Sequence, residues 1–195
     1  ILTEKSLFLL QKARKGLFQF EIGVQSTNID TIKAIQRNTH FEILKTIVHK
    51  IKSYGNIHQH LDLIAGLPYE DYASFRCSFN DVYALEPEQF QLGFLKLLKG
   101  SGLRRDAEKY GIVYRKDAVY EVLYTKELSY FEICRLKQVE EMVETYYNSG
   151  KTLCAVAYSI KFFPTPFDFY EALGDYWLKQ NHHTIQHSKM ELYTI

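Results

Sequence analysis

Three polar side chains within five residues could bind a metal ion or a small ligand. His58, His60 and Asp62 alternate with other residues in the segment His58-Gln59-His60-Leu61-Asp62. Because strand side chains alternate between two faces, these three would lie on the same face of a strand. Two imidazoles and a carboxylate are metal ligands. Alternatively, the carboxylate pairs with a neighbouring histidine, or it accepts hydrogen bonds from a ribose diol or an amine.

Two further residues have side chains suited to a polar ligand. Gln25 ends the segment Phe20-Glu21-Ile22-Gly23-Val24-Gln25, and its amide can both donate and accept hydrogen bonds. Arg37 lies at the end of a helical stretch. Its guanidinium would bind a ligand carboxylate through two parallel hydrogen bonds, and the alternative is a solvated surface arginine.

Alternating strands and amphipathic helices would position these residues. The period-two segments 18–25 and 57–65, together with 89–98, are predicted strands. Helices are predicted between them, the second opened by a capping box of Thr39 and Glu42. Strands joined by helices pack in parallel, so residues 1–102 are predicted to be an α/β unit, part of a β/α barrel or of an open sheet.

The polar residues would share one face of this sheet, near the carboxyl ends of the strands where ligands of α/β folds bind. The face carries Gln19, Glu21, Gln25, His58, His60, Asp62 and Gln91. Buried polar groups need partners. A polar inner face therefore predicts water or a ligand inside the curve of the sheet, unless these side chains pair with one another.

The second half of the chain, residues 103–195, is predicted to be a mostly helical domain. A small hairpin is expected over 112–115 and 119–125. Ser129 with Glu132 forms a capping box, and Thr165-Pro166 is a typical helix start.

Composition excludes several classes of protein. Lys and Arg number 24 against 23 Asp and Glu, so binding to nucleic acid is not expected. No apolar run approaches ~18 residues, so no membrane span is expected. The three cysteines form no metal-binding pattern, and we expect free thiols in a cytoplasmic protein. The sequence opens at Ile1 inside a predicted helix, so we expect a fragment of a longer protein.

The order of these motifs resembles the C-terminal half of the radical S-adenosylmethionine (radical SAM) core. Glu21-Ile22-Gly23-Val24-Gln25-Ser26, followed by a helix and Gln36-Arg37-Asn38-Thr39-His40, is similar to the fourth strand and next helix of that superfamily. Similar runs occur in anaerobic coproporphyrinogen oxidases and methylthiotransferases. Asp62-Leu63-Ile64-Ala65-Gly66-Leu67-Pro68 resembles the fifth strand, and the stretch from Gln91 to Leu103 the sixth.

The C-terminal half resembles a domain without assigned function that occurs on cobalamin-binding radical SAM proteins. The matching segments are Glu144-Thr145-Tyr146-Tyr147-Asn148-Ser149-Gly150, Pro166-Phe167-Asp168-Phe169 and Glu191-Leu192-Tyr193. The resemblance implies a radical SAM iron-sulfur oxidoreductase or methyltransferase that cleaves SAM reductively at a [4Fe-4S] cluster, with cobalamin as a further cofactor of the parent. Its substrate would be a small molecule that the sequence does not identify.

The resemblance also implies roles for matched positions. Gln25 and Arg37 would contact the methionine part of SAM, and Asp62 would hold its ribose or amino region. Ile64 would meet adenine through backbone groups, and Gly66 would allow a close approach.

The cysteine motif C-x-x-x-C-x-x-C of the superfamily is absent. We therefore expect these 195 residues to be inactive alone and to dimerise or aggregate through the sheet edge at 18–25. Two alternatives are a metal-dependent barrel hydrolase using His58, His60 and Asp62, and a non-catalytic interaction module based on the aromatic-rich C-terminal half.

Overall fold

Three parallel strands form the centre of the chain. The computed structural model describes residues 2–185 and 187–194. The strands are β1 (Gln19–Gln25), β2 (His58–Ala65) and β3 (Gln89–Phe94), and the sheet order is β1-β2-β3. In this register Glu21 lies beside His60, and Asp62 lies between Gly23 and Gln91.

Four helices accompany the strands: α1 (Glu4–Gln11), α2 (Ile29–Ala34), α3 (Phe41–Lys52) and α4 (Tyr72–Tyr83). Asn28 caps α2 and Asp71 caps α4, each through side-chain acceptance of backbone N–H groups. The predicted parallel α/β arrangement is therefore confirmed, while closure into part of a barrel stays a prediction.

The predicted capping box at Thr39 is wrong. Helix α3 begins at Phe41, its N-cap is His40, and no side chain of the described residues caps it. Thr39 thus lies one residue before the cap position, which places its hydroxyl outside the geometry that a capping box requires.

The rest of the chain is mostly helical, as predicted. Its elements are α5 (Gly102–Arg105), β4 (Val113–Tyr114), β5 (Val122–Tyr124), α6 (Tyr130–Met142), α7 (Leu153–Ser159), α8 (Pro166–Gln180) and α9 (Lys189–Thr194). A π-helical turn, Val143–Asn148, continues α6. Within residues 2–185 and 187–194, no helix combines the length and apolar character needed to cross a membrane.

One hydrophobic core joins the sheet to the C-terminal helices. It contains Leu61 and Leu63 from β2 and Phe167 and Tyr170 from α8, all essentially inaccessible to solvent. The ring of Phe79 on α4 lies 5.2 Å from Phe167 and 5.9 Å from Tyr170, centroid to centroid. Such aromatic contacts fix α4 against α8. The domain boundary at 102/103 stays a prediction.

Candidate ligand site at the end of the first strand

Asp62 lies on the face of β2 that the helices leave open. Along β2, Leu61, Leu63 and Ala65 are buried, whereas His60, Asp62 and Ile64 are only half-buried. Buried positions therefore alternate with half-buried ones along this strand, as predicted.

The Asp62 carboxyl group is poised to accept a hydrogen bond. Its Oδ1 atom is buried and lacks a hydrogen-bond partner among the residues that the structure describes. Burial raises the pKa of Asp62, the Glu21 carboxylate beside it raises the pKa further, and His60 opposes the shift. An orphan acceptor of this kind costs free energy unless a ligand or water donates to it.

Gln25 does not follow the alternation of β1. Its backbone is left-handed, with φ of 71°, and the register shifts between Gly23 and Gln25. This β-bulge turns the Gln25 side chain back toward Gly23, and the side chain is buried. A Cβ atom at Gly23 would collide with the Gln25 amide nitrogen, so the glycine makes room for this amide.

Arg37 reaches the same point from the loop between α2 and α3. Its Nη1 atom donates to the Gly23 carbonyl at 2.9 Å, and the same atom lies 3.5 Å from where a Gly23 Cβ would be. The structure therefore brings Gln25 and Arg37 together at Gly23. Asp62 is the register neighbour of Gly23, so three of the five predicted site residues adjoin one another.

The other two predicted residues continue along β2. Ile64 is half-buried on the same face as Asp62 and pairs in register with Gly93. Gly66 has a φ of 88°, and a Cβ there would lie only 2.9 Å from Cγ1 of Val122. In the structure, therefore, it is Val122 of the β4–β5 hairpin that packs closely against the backbone of Gly66. A close approach of a ligand to Gly66 stays a prediction.

The residues of the metal-hydrolase alternative do not assemble a ligand set. The rings of His58 and His60 lie edge to face with centroids 4.8 Å apart. In residues 2–185 and 187–194, however, no group of three or more His, Cys, Asp or Glu side chains is arranged to hold a metal ion. The three cysteines, Cys77, Cys134 and Cys154, are free thiols on three different helices.

Two grooves meet at Arg37. The edge groove, about 580 Å³, runs along β1 and α3 and is lined by Glu21, Gly23, Arg37, Ile43 and Ile47 among others. The loop groove, about 550 Å³, is lined by residues that include Ser26, Thr27, Lys33, Arg37 and Asp81. Either groove has the volume of a small-molecule site, and both present the Arg37 guanidinium.

Sequence reasoning missed a buried polar cluster behind this site. Glu70, Ser26 and Ser78 are almost fully buried and are hydrogen-bonded to one another. The segment Ser26-Thr27-Asn28 carried a detectable signal, since Asn28 is a typical N-cap residue, but nothing local pointed to Glu70 as its partner 44 residues away.

Comparison with known proteins gives one family match and one sequence relative. A family described as "Protein of unknown function (DUF4080)" matches residues 108–195. The chain is also 31% identical over 135 residues to the oxygen-independent coproporphyrinogen-III oxidase-like protein HemZ of Bacillus subtilis (strain 168). That alignment covers 66% of this chain and 26% of HemZ, so the chain spans about a quarter of this relative's length.

Two solved structures are similar to part of the chain. One is the radical SAM methyltransferase TsrM from Kitasatospora setae, solved with tryptophan and a SAM analogue (TM-score 0.49, 14% identity, 60% of this chain and 24% of that one). The other is coproporphyrinogen III oxidase (HemN) from Escherichia coli, a radical SAM enzyme (TM-score 0.46, 20% identity, 69% and 27%). The similarity to HemZ agrees with the predicted resemblance to the anaerobic coproporphyrinogen oxidases.

Proposed function

We propose that this chain forms the SAM-binding half of a radical SAM enzyme. The observation that supports this most is the meeting of Gln25 and Arg37 at Gly23, next to the unpartnered Oδ1 of Asp62. SAM offers a carboxylate, an amine and a ribose diol. Arg37 would bind the carboxylate, Gln25 would complete the polar contacts of the methionine part, and Asp62 would accept from the ribose or the amine.

The remaining positions would surround the adenine. Ile64 offers an apolar side chain on the open face, flanked in register by Gly93, and backbone groups at this end of β2 would hydrogen-bond the base. Gly66 would keep the backbone close to it. These residues would bind and orient SAM, and its reductive cleavage would use electrons from an iron-sulfur cluster.

The cysteines of this chain do not fit that cluster. Cys77 lies on α4, Cys134 on α6 and Cys154 on α7, and a [4Fe-4S] cluster needs thiolates that converge on one point. We therefore propose that residues outside these 195 supply the cluster and that the chain alone does not turn over SAM. A cytoplasmic location, and cobalamin as a further cofactor of the parent, are proposed on the same resemblance.

The full-length protein tests the enzyme proposal directly. Purified without oxygen, it is expected to carry about four irons and to release 5′-deoxyadenosine from SAM under reduction. The substrate is then sought among small molecules that stimulate this release. Absence of both cluster and deoxyadenosine would reject the proposal.

Variants of the candidate site test the assigned roles in the same protein. Arg37→Ala removes a charged hydrogen bond worth about 1.5–3 kcal/mol, which corresponds to SAM binding weakened roughly 10- to 150-fold. Arg105→Ala is the matched control, because Arg105 is exposed and pairs with its neighbour Asp106. Calorimetry that gives equal affinities for both variants would remove Arg37 from the site.

A second candidate function is that of an interaction module. Three aromatic residues of the C-terminal half are strongly exposed: Phe131 (81%), Phe162 (70%) and Tyr158 (63%). Tyr158 and Phe162 pack edge to face at 5.2 Å. Exposed aromatic clusters are typical of protein-binding surfaces. If the full-length protein has no cluster and does not bind SAM, this candidate becomes the preferred one.

A further inference from the structure

The loop that follows Gln25 is anchored by one buried carboxyl group. This loop, Ser26-Thr27-Asn28, joins the left-handed Gln25 to the start of α2. Glu70 lies in the connection between β2 and α4 and is completely inaccessible to solvent. It follows Gly66 by four residues and reaches the loop through side-chain hydrogen bonds.

Two serine hydroxyls connect Glu70 to the loop. The Oγ atoms of Ser26 and Ser78 donate to Glu70 Oε1 at 2.6 and 2.9 Å. Because each hydroxyl uses its single proton on the carboxyl group, its lone pairs remain free to accept. Oε1 is an acceptor whether Glu70 is ionised or protonated, so the direction of these bonds is the same in both charge states.

The hydroxyls in turn fix the backbone of the loop. Asn28 N–H donates to Ser26 Oγ at 3.0 Å, and Thr27 N–H donates to Ser78 Oγ at 3.0 Å. Two consecutive N–H groups are therefore aimed inward by a chain of bonds that ends on Glu70. This orientation sets the path of the backbone immediately after Gln25, whose left-handed conformation is unfavourable for a residue with a Cβ atom.

We propose that Glu70 is a positioning residue that holds the Ser26-Thr27-Asn28 loop and thereby fixes the Gln25 amide over Gly23, beside Arg37. The inference rests on the proposed SAM site for its functional meaning. Glu70 touches no ligand atom in this scheme and acts through Ser26, Ser78 and the loop backbone.

The burial of Glu70 is costly, which indicates that its acceptor is needed. Burial raises its pKa to about 7, the two serine hydrogen bonds oppose this shift, and the Asp71 carboxylate adds to it. Its second oxygen, Oε2, is buried and has no hydrogen-bond partner in the described part of the chain. An apolar side chain would avoid both penalties and would leave the two serines without their acceptor.

Amide hydrogen exchange of the loop is the first test, and it does not depend on SAM. Exchange is followed by mass spectrometry in peptides covering Thr27 and Asn28, in the full-length protein. Glu70→Ala is expected to speed exchange there roughly tenfold, because both N–H groups lose oriented acceptors. Glu70→Gln keeps the Oε1 acceptor and is expected to restore protection to within about threefold of the wild type.

Two further variants separate positioning from general loss of stability. Glu127→Ala is the matched control, because Glu127 also has a buried oxygen without a partner in residues 2–185 and 187–194, but it lies before α6. It is expected to leave loop exchange unchanged. If Glu70→Ala does not fold, Ser78→Ala replaces it, and its faster exchange should be confined to Thr27.

SAM affinity then connects the loop to the site. We expect the dissociation constant for SAM to rise roughly tenfold in Glu70→Ala and to recover in Glu70→Gln. The positioning role would be overturned if loop exchange were unchanged in Glu70→Ala. It would also be overturned if Glu70→Gln showed exchange as fast and SAM binding as weak as Glu70→Ala. Faster exchange with no SAM binding even in the wild type would support the anchor and reject the proposed SAM site instead.

Discussion

The two edges of the sheet are finished in opposite ways. The outer edge of β3 is covered by the C-terminal half of the chain, whereas no strand within residues 2–185 and 187–194 pairs with the outer edge of β1. An uncovered edge presents backbone groups that can pair with another strand. The C-terminal half therefore terminates this sheet on one side only.

A side chain imitates a neighbouring strand at the β3 edge. Asn148, the last residue of the π-helical turn, accepts from Phe90 N–H at 2.9 Å and donates to Phe90 C=O at 2.8 Å. One amide thereby satisfies both backbone groups of a residue in the edge strand. Farther along, Leu95 and Leu97 bond to Val122 and Tyr120 of the hairpin region, which covers the extension of β3.

A groove lies beside the outer edge of β1, where no strand of the described residues pairs with it. The edge groove beside it is lined by apolar side chains of α3, among them Ile43, Ile47 and Ile51. Its far end reaches the candidate ligand site at Arg37. The two edges therefore differ in function as well: the covered edge is structural, and the open edge leads to the residues that we propose bind SAM.

The largest expected effect is a dependence of stability on pH. Glu70, which anchors the loop after β1, is a carboxyl group that titrates, whereas Asn148, which bonds to β3, is an amide that does not. The pKa of Glu70 is raised from 4.5 to about 7, so the folded protein binds this proton more tightly than the unfolded chain does. The contribution of protonated Glu70 to the free energy of unfolding is therefore fully present below about pH 4.5, and it is lost as the pH rises through about 7. It amounts to about 3 kcal/mol at ~1.4 kcal/mol per pKa unit.

Urea unfolding at several pH values measures this contribution as the difference between wild type and Glu70→Gln, which does not titrate. The free energy of unfolding of the wild type should fall relative to the variant between about pH 4.5 and 7.5. A difference that stays constant with pH would mean that Glu70 titrates normally. Asn148→Ala, a change on the other edge, should leave this pH dependence intact.

The second effect is the loss of the β3 cover. Asn148→Ala leaves the N–H and C=O of Phe90 without their present partner, and we expect the free energy of unfolding to fall by about 2 kcal/mol. Exchange of the Phe90 amide should become faster at the same time. Asn38→Ala is the control, because Asn38 is exposed in a loop and its replacement should change stability by less than about 0.5 kcal/mol.

A small loss of stability in Asn148→Ala would mean that the two edges of the sheet differ less than the hydrogen bonds suggest. If Asn148→Ala loses no more stability than Asn38→Ala, the imitation of a strand by Asn148 does not stabilise the edge. The hairpin bonds at Leu95 and Leu97 would then contribute more to this cover than Asn148 does.

The sequence predicted best where local pattern and tertiary packing agree. On β2, the alternation placed His58, His60 and Asp62 on one face. Leu61, Leu63 and Ala65 on the other face are buried, because helices cover that face. The capping box of α6 and the Thr165-Pro166 start of α8 were also predicted, since Ser129 and Thr165 accept from backbone N–H groups within the first turns of their own helices. Such contacts lie within a few residues and are readable from spacing.

It predicted less well where distant residues decide the geometry. Alternation assigned Gln25 to the same face as Glu21, but the bulge and the left-handed backbone turn it over Gly23. That conformation is tied to Ser26 and its acceptor Glu70. The helix opened by Ser129 and Glu132 was predicted, but the bond from Asn148 to Phe90 arises only once the π-helical turn packs against β3. No local pattern contains either partner.

The smallest expected effect concerns association through the open edge, which we propose as the route by which copies of this chain dimerise. Ile43 is 57% exposed and lines the edge groove, so Ile43→Lys should change the free energy of unfolding by less than about 0.5 kcal/mol. The lysine charge should nevertheless raise the dimer dissociation constant roughly tenfold, because it must be desolvated or repelled when two edges meet. Sedimentation velocity over a range of concentrations measures this dissociation constant.

Ile29→Lys is the control, since Ile29 is 67% exposed and lines the loop groove instead. If both variants dissociate alike, association does not use the β1 edge, and the open edge differs from the covered one in backbone pairing alone.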